Sequence, residues 1–330
     1  MPTLLVTGGA GYIGSHCVKQ LLAQRDGWSV VTLDNLSTGF RRFIRGEFVE
    51  GSTADRALVL ETLRRYDVKA VMHFAAFAYV GESVSDPEKY YDNNVCAALT
   101  LLSAMREAQV NEFIFSSSCA TYGLPQRLPL TEDHPLAPVN PYGFTKRVVE
   151  EILSDFSRAY GLRYVSLRYF NAAGADPEGD IGEAHDPETH LIPLALQAAA
   201  GQRPALQVFG SDYPTPDGTC IRDYVHVNDI SRAHLLALAY LQGGGASQVF
   251  NIGTEHGYSV REVIDCCQTV TGRRVPVVEG PRREGDPPML VANAEKIRRE
   301  LGWKPEYDSL KPTIETAWAW EQRKAAVLAT

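Results

Sequence analysis

The chain has 330 residues, 45% of them hydrophobic and 22% charged, and a net charge of −8, a size that allows a large core and about two domains. The acidic balance argues against a nucleic-acid footprint or a polybasic membrane surface, and no run approaches the roughly 20 apolar residues that span a bilayer. The six cysteines are scattered, with only Cys266 and Cys267 adjacent, so no disulfide framework is expected and a reducing, cytoplasmic setting is.

In chain order, MPTLLVTGGAG enters a strand and a Gly-rich turn at once, so no signal peptide is expected. Through about residue 170, short apolar runs alternate with helical stretches. TLLVTGG, SVVTLDN, AVMHFAA, EFIFSSS and YVSLRYF read as strands. GSHCVKQLLAQ, ALVLETLRRY, NNVCAALTLLSAMREAQ and the stretch after Lys146 read as the helices among them. Continuous apolar strands alternating with helices predict an α/β fold, a Rossmann-type doubly wound parallel sheet over residues 1–170. After Asn171 the texture changes. AAGADPEGDIGEAHDPETH is too long and polar for a simple connector. The helix LIPLALQAAA, strand LQVF, helix ISRAHLLALAYL and strand QVFNIG follow, and Ser259 with Glu262 predicts a capping box for VREVIDCCQTV. Residues 171–330 therefore predict a smaller α/β domain over the carboxyl edge of the sheet, with some strands and helices interleaved between the two.

TGGAGYIG carries Gly9-x-Gly11-x-x-Gly14 and also Gly8-x-x-Gly11-x-x-Gly14. It follows a strand and opens a helix, the setting in which glycines let the backbone approach a pyrophosphate at the helix N-terminus. Asp34 ends the second strand, where a carboxylate accepts from a ribose 2′-hydroxyl and repels a 2′-phosphate. NAD is therefore the expected cofactor rather than NADP.

FIFSSSCATYG ends a strand with three serines, and NPYGFTK opens a helix with Tyr142 and Lys146 four residues apart, on one helix face. A free phenol has a pKa near 10 and is a poor base at neutral pH. Lowering it by about three units takes roughly 4 kcal/mol. A cation about 6 Å away at an effective dielectric of about 20 supplies roughly 3 kcal/mol, and an oxidised nicotinamide adds further positive charge against the desolvation cost. Ser118 is placed to hydrogen-bond the phenol, so the three residues predict proton transfer coupled to hydride transfer at one carbon.

Together these residues resemble the extended short-chain dehydrogenase/reductase family and, within it, the nucleotide-sugar 4-epimerases. The segments that carry the likeness are VTGGAGYIGSH, LDNLSTG, HFAAFAYVGESV, YYDNNV, FSSSCATYG, NPYGFTK, LRYFNAAGA, FGSDYPTPDGTCIRDYVHVND and PRREGDPP. They run through nearly the whole chain. The resemblance implies reversible inversion at C4 of UDP-glucose and UDP-galactose through a transient 4-keto sugar, with NAD kept bound. Tyr142 would be the acid and base, Lys146 would lower its pKa and bind the nicotinamide ribose, and Ser118 would hold the substrate oxygen.

The resemblance also implies which residues touch each ligand. NAD would meet Gly8, Gly11, Tyr12, Ile13 and Gly14 at the first turn, and Asp34, Asn35, Ser37 and Thr38 after the second strand. Ser52, Thr53, Phe74, Ala75, Ala76, Asn93 and Phe170 would complete that site with Tyr142 and Lys146. The UDP-sugar would meet Ser118 and Tyr142 at the reacting carbon and Asn171, Arg222, Arg283 and Asp286 along the UDP, where two arginines make bidentate phosphate bonds. His190, Leu191, Gln207, Val208 and Phe209 would surround the nucleotide, and residues 171–330 become the UDP-sugar-binding domain. A homodimer through the two helices that follow NNVC and Lys146 is implied as well.

Departures from the family pattern carry information. Ser52-Thr53 stand where an Asp followed by Ile or Leu is usual, and Ala78 stands where some members have Lys. His190 replaces an Asn. His185 and His190 resemble a metal pair, but the sequence suggests no further ligands, so no metal is expected. Leu290 is intermediate between the Tyr that narrows the sugar pocket and the small residues that open it, which predicts a side activity on UDP-GlcNAc and UDP-GalNAc. The rival readings are a nucleotide-sugar 4,6-dehydratase, a decarboxylase acting on UDP-glucuronate, a UDP-pentose 4-epimerase, an ordinary alcohol dehydrogenase and a non-catalytic NAD sensor. A dehydratase needs an Asp-Glu pair after the active-site Ser, and here Cys119 and Ala120 stand there.

Overall fold

The computed structural model describes residues 1–24, 27–283 and 285–329. The first half runs β1 (Thr3–Thr7), α1 (Tyr12–Ala23), β2 (Ser29–Asp34), β3 (Glu47–Glu50), α2 (Arg56–Arg65) and β4 (Val68–His73). It continues through the short helices α3 (Val80–Ser85) and α4 (Pro87–Tyr90) to α5 (Ala97–Glu107), β5 (Glu112–Ser118), α6 (Pro141–Tyr160) and β6 (Arg163–Tyr169). The second half holds β7 (Asn171–Ala173), α7 (Leu191–Ala200), β8 (Leu206–Phe209), β9 (Ile221–His226), α8 (Val227–Gln242) and β10 (Gln248–Ile252). It ends with β11 (Gly257–Ser259), α9 (Val260–Thr271), β12 (Val277–Gly280), β13 (Met289–Leu290), α10 (Glu295–Leu301) and α11 (Leu310–Ala329).

Seven parallel strands form the main sheet in the order β10-β6-β5-β4-β1-β2-β3. The order reverses direction between β1 and β4, and such a switch point opens a crevice at the strands' carboxyl ends. Residues alternate faces along each strand. Leu4 and Val6 of β1 enter one core with α1 and α8, and Leu5 enters the other with α2, α5 and α6. Both faces are therefore covered, which explains why the strands read as unbroken apolar runs. β10 comes from the second half, yet pairs along its whole length with β6. The remaining strands build a small sheet of β7, β9, β11 and β13 and the pair β8–β12.

Two local features differ from the expected elements. β3 is an added strand at the sheet edge beyond β2, with Glu47 and Glu50 exposed at its two ends. The stretch before α5, expected as plain helix, is wound as a π-helix over Tyr91–Cys96. The expected capping box is present: Ser259 Oγ accepts from Glu262 N, and Glu262 accepts from Ser259 N. Among the described residues no helix is long and apolar enough to cross a membrane.

The long helix α6 has clear sequence causes. Asn140 caps it by accepting from Gly143 N at 2.8 Å, Pro141 supplies its first-turn φ, and Gly161 closes it at φ 74°. Behind its catalytic-looking face, Glu150 and Arg168 of β6 form a buried ion pair, with Ser117 Oγ donating to Glu150 at 2.6 Å. Arg168 also donates to the Tyr122 hydroxyl at 3.1 Å. Removing one partner leaves a buried charge uncompensated. Arg168→Met is expected to cost about 3–5 kcal/mol in urea unfolding, and the double replacement with Glu150→Met far less. A loss below about 1 kcal/mol for the single variant would contradict this account of what holds α6 to the sheet.

Candidate active site

The carboxyl ends of β1, β2, β4, β5 and β6 open into a cavity of about 1340 Å³ that the second half covers. At one end lies the glycine turn. Gly8 has φ 74°, and a Cβ there would stand 2.5 Å from Ala75 N; a Cβ on Gly14 would strike the Gly8 carbonyl. The turn therefore closes onto the loop after β4 only with glycine. Gly11 begins α1 without any side-chain cap, so the helix N-terminus meets the cavity with its own N–H groups, the arrangement that suits an anion. Asp34, 8% exposed, accepts from Ala10 N at 3.0 Å and Leu36 N at 2.8 Å. Burial pushes its carboxyl up, and those two N–H groups oppose the shift. A cradle that a Cβ would fill, an uncapped helix start and a fixed carboxylate fit a dinucleotide without a 2′-phosphate.

At the middle of the cavity, α6 presents Tyr142 and Lys146, with Glu150 one further turn back on the same buried face. The first turn of α6 lies hard against the end of β5: a Cβ on Gly143 would stand 2.5 Å from the Ala120 carbonyl. That closeness brings Ser118, whose hydroxyl accepts from Ala120 N at 3.1 Å, beside the Tyr142 phenol. Lys146 Nζ donates to the Ser116 carbonyl at 2.8 Å and lies 5.9 Å from the centre of the Tyr142 ring. Tyr169 lines the same place and pairs with Ser116 Oγ at 2.7 Å.

The protein's own groups do not lower the Tyr142 phenol; burial pushes it well up, the neighbouring Tyr169 adds to this, and Ser118 pulls the other way. Burial likewise brings Lys146 down to about 7, against the Glu150 charge. Both groups are driven toward neutrality, so forming a phenolate here requires positive charge from Lys146 and from whatever binds beside it.

At the far end lie the groups expected for a nucleotide. Arg222 of β9 is buried and ion-paired with Asp286, and the Arg283 guanidinium stacks 4.0 Å over the Phe209 ring. Asn171, His190, Leu191, Gln207 and Leu290 line the same wall, while Tyr12, Ile13, Asn35, Ser37, Thr38, Ser52, Thr53, Phe74, Ala76, Asn93 and Phe170 line the dinucleotide side. Val208 is the exception among the expected residues. Its side chain is 3% exposed in a separate core with α7, α9 and α11, because Leu206 and Val208 share the inner face of β8 and Gln207 the outer. Glu284 of the PRREGDPP segment lies outside the described residues.

Some contributors were not anticipated. Asn94, in the π-helix, holds the loop after β4 through Phe77 N and Phe77 O, both at 2.9 Å, and accepts from Asn93. The doubled Asn of YYDNNV was the available signal. The expectation that His185 and His190 lack further ligands also fails. Glu183 and Glu188 come from the same loop, and ligating atoms of all four lie within 4.8 Å of one another. The spacing E-x-H-x-x-E-x-H held that information. Burial pulls the His190 imidazole down, but the Glu183 and Glu188 carboxylates outweigh it and push it up to about 10.

Residues 4–253 match the NAD dependent epimerase/dehydratase family. The UDP-glucose 4-epimerase of Lacticaseibacillus casei is 51% identical over 97% of either chain. Among solved structures, UDP-glucose 4-epimerase from Brucella ovis in complex with NAD is 53% identical, with a TM-score of 0.94 over 96% of this chain and 98% of that one. UDP-glucose 4-epimerase from Bifidobacterium longum in complex with NAD+ and UDP is 37% identical, with a TM-score of 0.93 over 98% and 99%.

Proposed function

The chain belongs to the NAD dependent epimerase/dehydratase family, and on that premise we propose how it works: it is an NAD-dependent isomerase that interconverts UDP-glucose and UDP-galactose at C4. One observation supports the reading above the others. Ser118, Tyr142 and Lys146 meet midway along a single cavity that has a dinucleotide cradle at one end and Arg222, Arg283 and Phe209 at the other. When bound, NAD supplies a reversible acceptor for the hydride of C4. Tyr142 takes the proton of the 4-hydroxyl as the ketone forms and returns it when the alcohol is restored. Ser118 hydrogen-bonds both the phenol and the substrate oxygen and steadies the proton between them. Lys146 supplies positive charge to the phenolate, and Asp34 holds a ribose. Arg222 and Arg283 balance the pyrophosphate charge, with Phe209 and the backbone of β8 beside the base. Residues 1–170 thus act as the NAD-binding part and residues 171–330 as the UDP-sugar-binding part, with β10 shared between them.

A dehydratase outcome lacks its proton carriers. Cys119 stands where one would be needed, burial pushes its thiol up to about 12, and Ala120 carries no proton. The direct test is conversion of UDP-galactose to UDP-glucose without added NAD, followed by denaturation and identification of the released dinucleotide. The expected result is turnover with about one NAD per chain; turnover that depends on added NAD and accumulates NADH would overturn the reading.

Substrate range rests on Leu290, which lines the cavity beside Arg222 through the β13–β9 pairing. A Leu leaves intermediate room, so weaker activity on UDP-GlcNAc and UDP-GalNAc is expected. Leu290→Tyr should abolish that activity, by at least about tenfold, and spare UDP-galactose. An unchanged ratio of the two rates would rule out the steric explanation.

The chain works as a cytoplasmic homodimer in this reading. Its six cysteines are free. Tyr91, Phe144 and Leu99 are exposed beside α5 and α6, with the first two rings 6.3 Å apart. An apolar face of this kind suits a two-fold helix pair. Light scattering after size exclusion should give twice the 36.3 kDa chain mass; a monomer at micromolar concentration would contradict it.

A further inference from the structure

The loop between β7 and α7 contains four side chains with metal-ligating atoms in one place. His185 Nδ1 lies 3.0 Å from Glu183 Oε1 and 3.9 Å from Glu188 Oε2, and His190 Nδ1 lies 3.0 Å from Glu188 Oε1. His190 Nδ1 also lies 2.6 Å from Glu183 Oε1. Two imidazole nitrogens thus converge on one oxygen of Glu183. Glu188 gives an independent sign. Its Oε1 accepts from the backbone of Thr189 and His190 at 2.8 and 2.9 Å. Its Oε2 is buried with no hydrogen-bond partner among the described residues, on a side chain only 7% exposed. A buried carboxylate oxygen without a hydrogen-bond donor among converging ligands is costly.

We propose that Glu183, His185, Glu188 and His190 form a divalent transition-metal site, best suited to Zn²⁺, that clips residues 183–190 over the cavity. With the His190 proton displaced by the metal, two carboxylates and two neutral imidazoles carry a charge of −2, which one divalent cation cancels. The mixed nitrogen and oxygen donors fit zinc rather than calcium or magnesium, which take oxygen alone. Their separations bracket the roughly 3.4 Å edges of a zinc tetrahedron. Four protein ligands make a closed, structural set rather than one with a position left for substrate.

The surroundings hold the loop in place. Trp320 of α11 donates to the Glu183 carbonyl at 2.7 Å. The His185 ring packs edge-on against Tyr12 at 6.2 Å and Tyr79 at 5.6 Å, so imidazole orientation is set from the first half of the chain. The metal would therefore tie the second half to the start of α1. With Nδ1 of His190 committed to it, only Nε2 remains for polar contact with the substrate. The other acidic group, Asp176, Glu178 and Asp180, differs: Lys19 already bonds all three, at 2.5, 2.7 and 2.8 Å, so it has no need of a cation.

The test uses the NAD-loaded enzyme, stripped with a chelator and titrated with ZnCl₂ by calorimetry. One Zn²⁺ per chain is expected, with affinity lowered at least about 100-fold by His185→Gln and by Glu188→Gln. X-ray absorption of the zinc-loaded parent protein, which requires no variant to fold, should give four nitrogen or oxygen neighbours including two imidazoles. No saturable binding below about 100 μM, binding unchanged in both variants, or a sulfur-containing coordination shell would each overturn the proposal.

Discussion

Replacing Tyr142 by Phe is expected to lower kcat for UDP-galactose by at least about 10²–10⁴-fold, the usual contribution of a positioned acid–base group, while UDP still binds and NAD stays on the protein. The variant removes one oxygen from a ring that keeps its place on α6. That helix is fixed by the Asn140 cap and by the Glu150–Arg168 pair, neither of which involves the phenol. The loss should therefore fall on turnover and leave affinity for UDP within a few-fold of the parent protein. Calorimetry with UDP and the absorbance of released dinucleotide provide the control. A variant with near-normal kcat would move the acid–base role away from Tyr142, with Tyr169 the nearest remaining phenol at this place.

Lys146→Met carries the second large effect. Burial drives the Tyr142 phenol up and the Lys146 ammonium down to about 7, so each group needs the other to hold its charge. At about 6 Å and an effective dielectric of about 20 the cation contributes roughly 3 kcal/mol to the phenolate, which corresponds to about 10²-fold in rate at neutral pH. The sign follows from the charge. Without the cation the phenol ionises at higher pH, so less of it is phenolate at pH 7. The variant should then regain rate by up to about tenfold per pH unit above neutrality, where the parent gains less. A loss of the same size at every pH would mean that Lys146 acts by position alone.

What was legible in the sequence was mostly local. The turn at Gly8, Gly11 and Gly14, the acid at Asp34, and Tyr142 with Lys146 each depend on a strand, a turn or one helix face. Short-range spacing specifies these without knowledge of the rest of the fold. The return of β10 to the main sheet depends on pairing with β6, about eighty residues earlier in the chain, which periodicity cannot reveal. The inward side chain of Val208 was readable, which leaves only its backbone for the base. Alternation along LQVF already separates it from Gln207, and its place in the core follows from that alternation. The weight of burial at Tyr142 was not readable, because burial is a property of the whole wall around α6 and not of the helix alone. Glu183 and Glu188 were hidden for a related reason: a polar loop gives no period, and only its folding back on Trp320 and Tyr12 gathers four ligating atoms into one place.

The central claim is that C4 is oxidised and reduced within one closed site while Tyr142 moves the proton. UDP-galactose carrying deuterium at C4 tests this most directly, when incubated with the enzyme in ordinary water without added NAD and read by mass and proton spectra. The account predicts UDP-glucose with the deuterium still at C4, because the label never meets solvent. Product with protium at C4 would contradict it and point to a carbanion or elimination route instead.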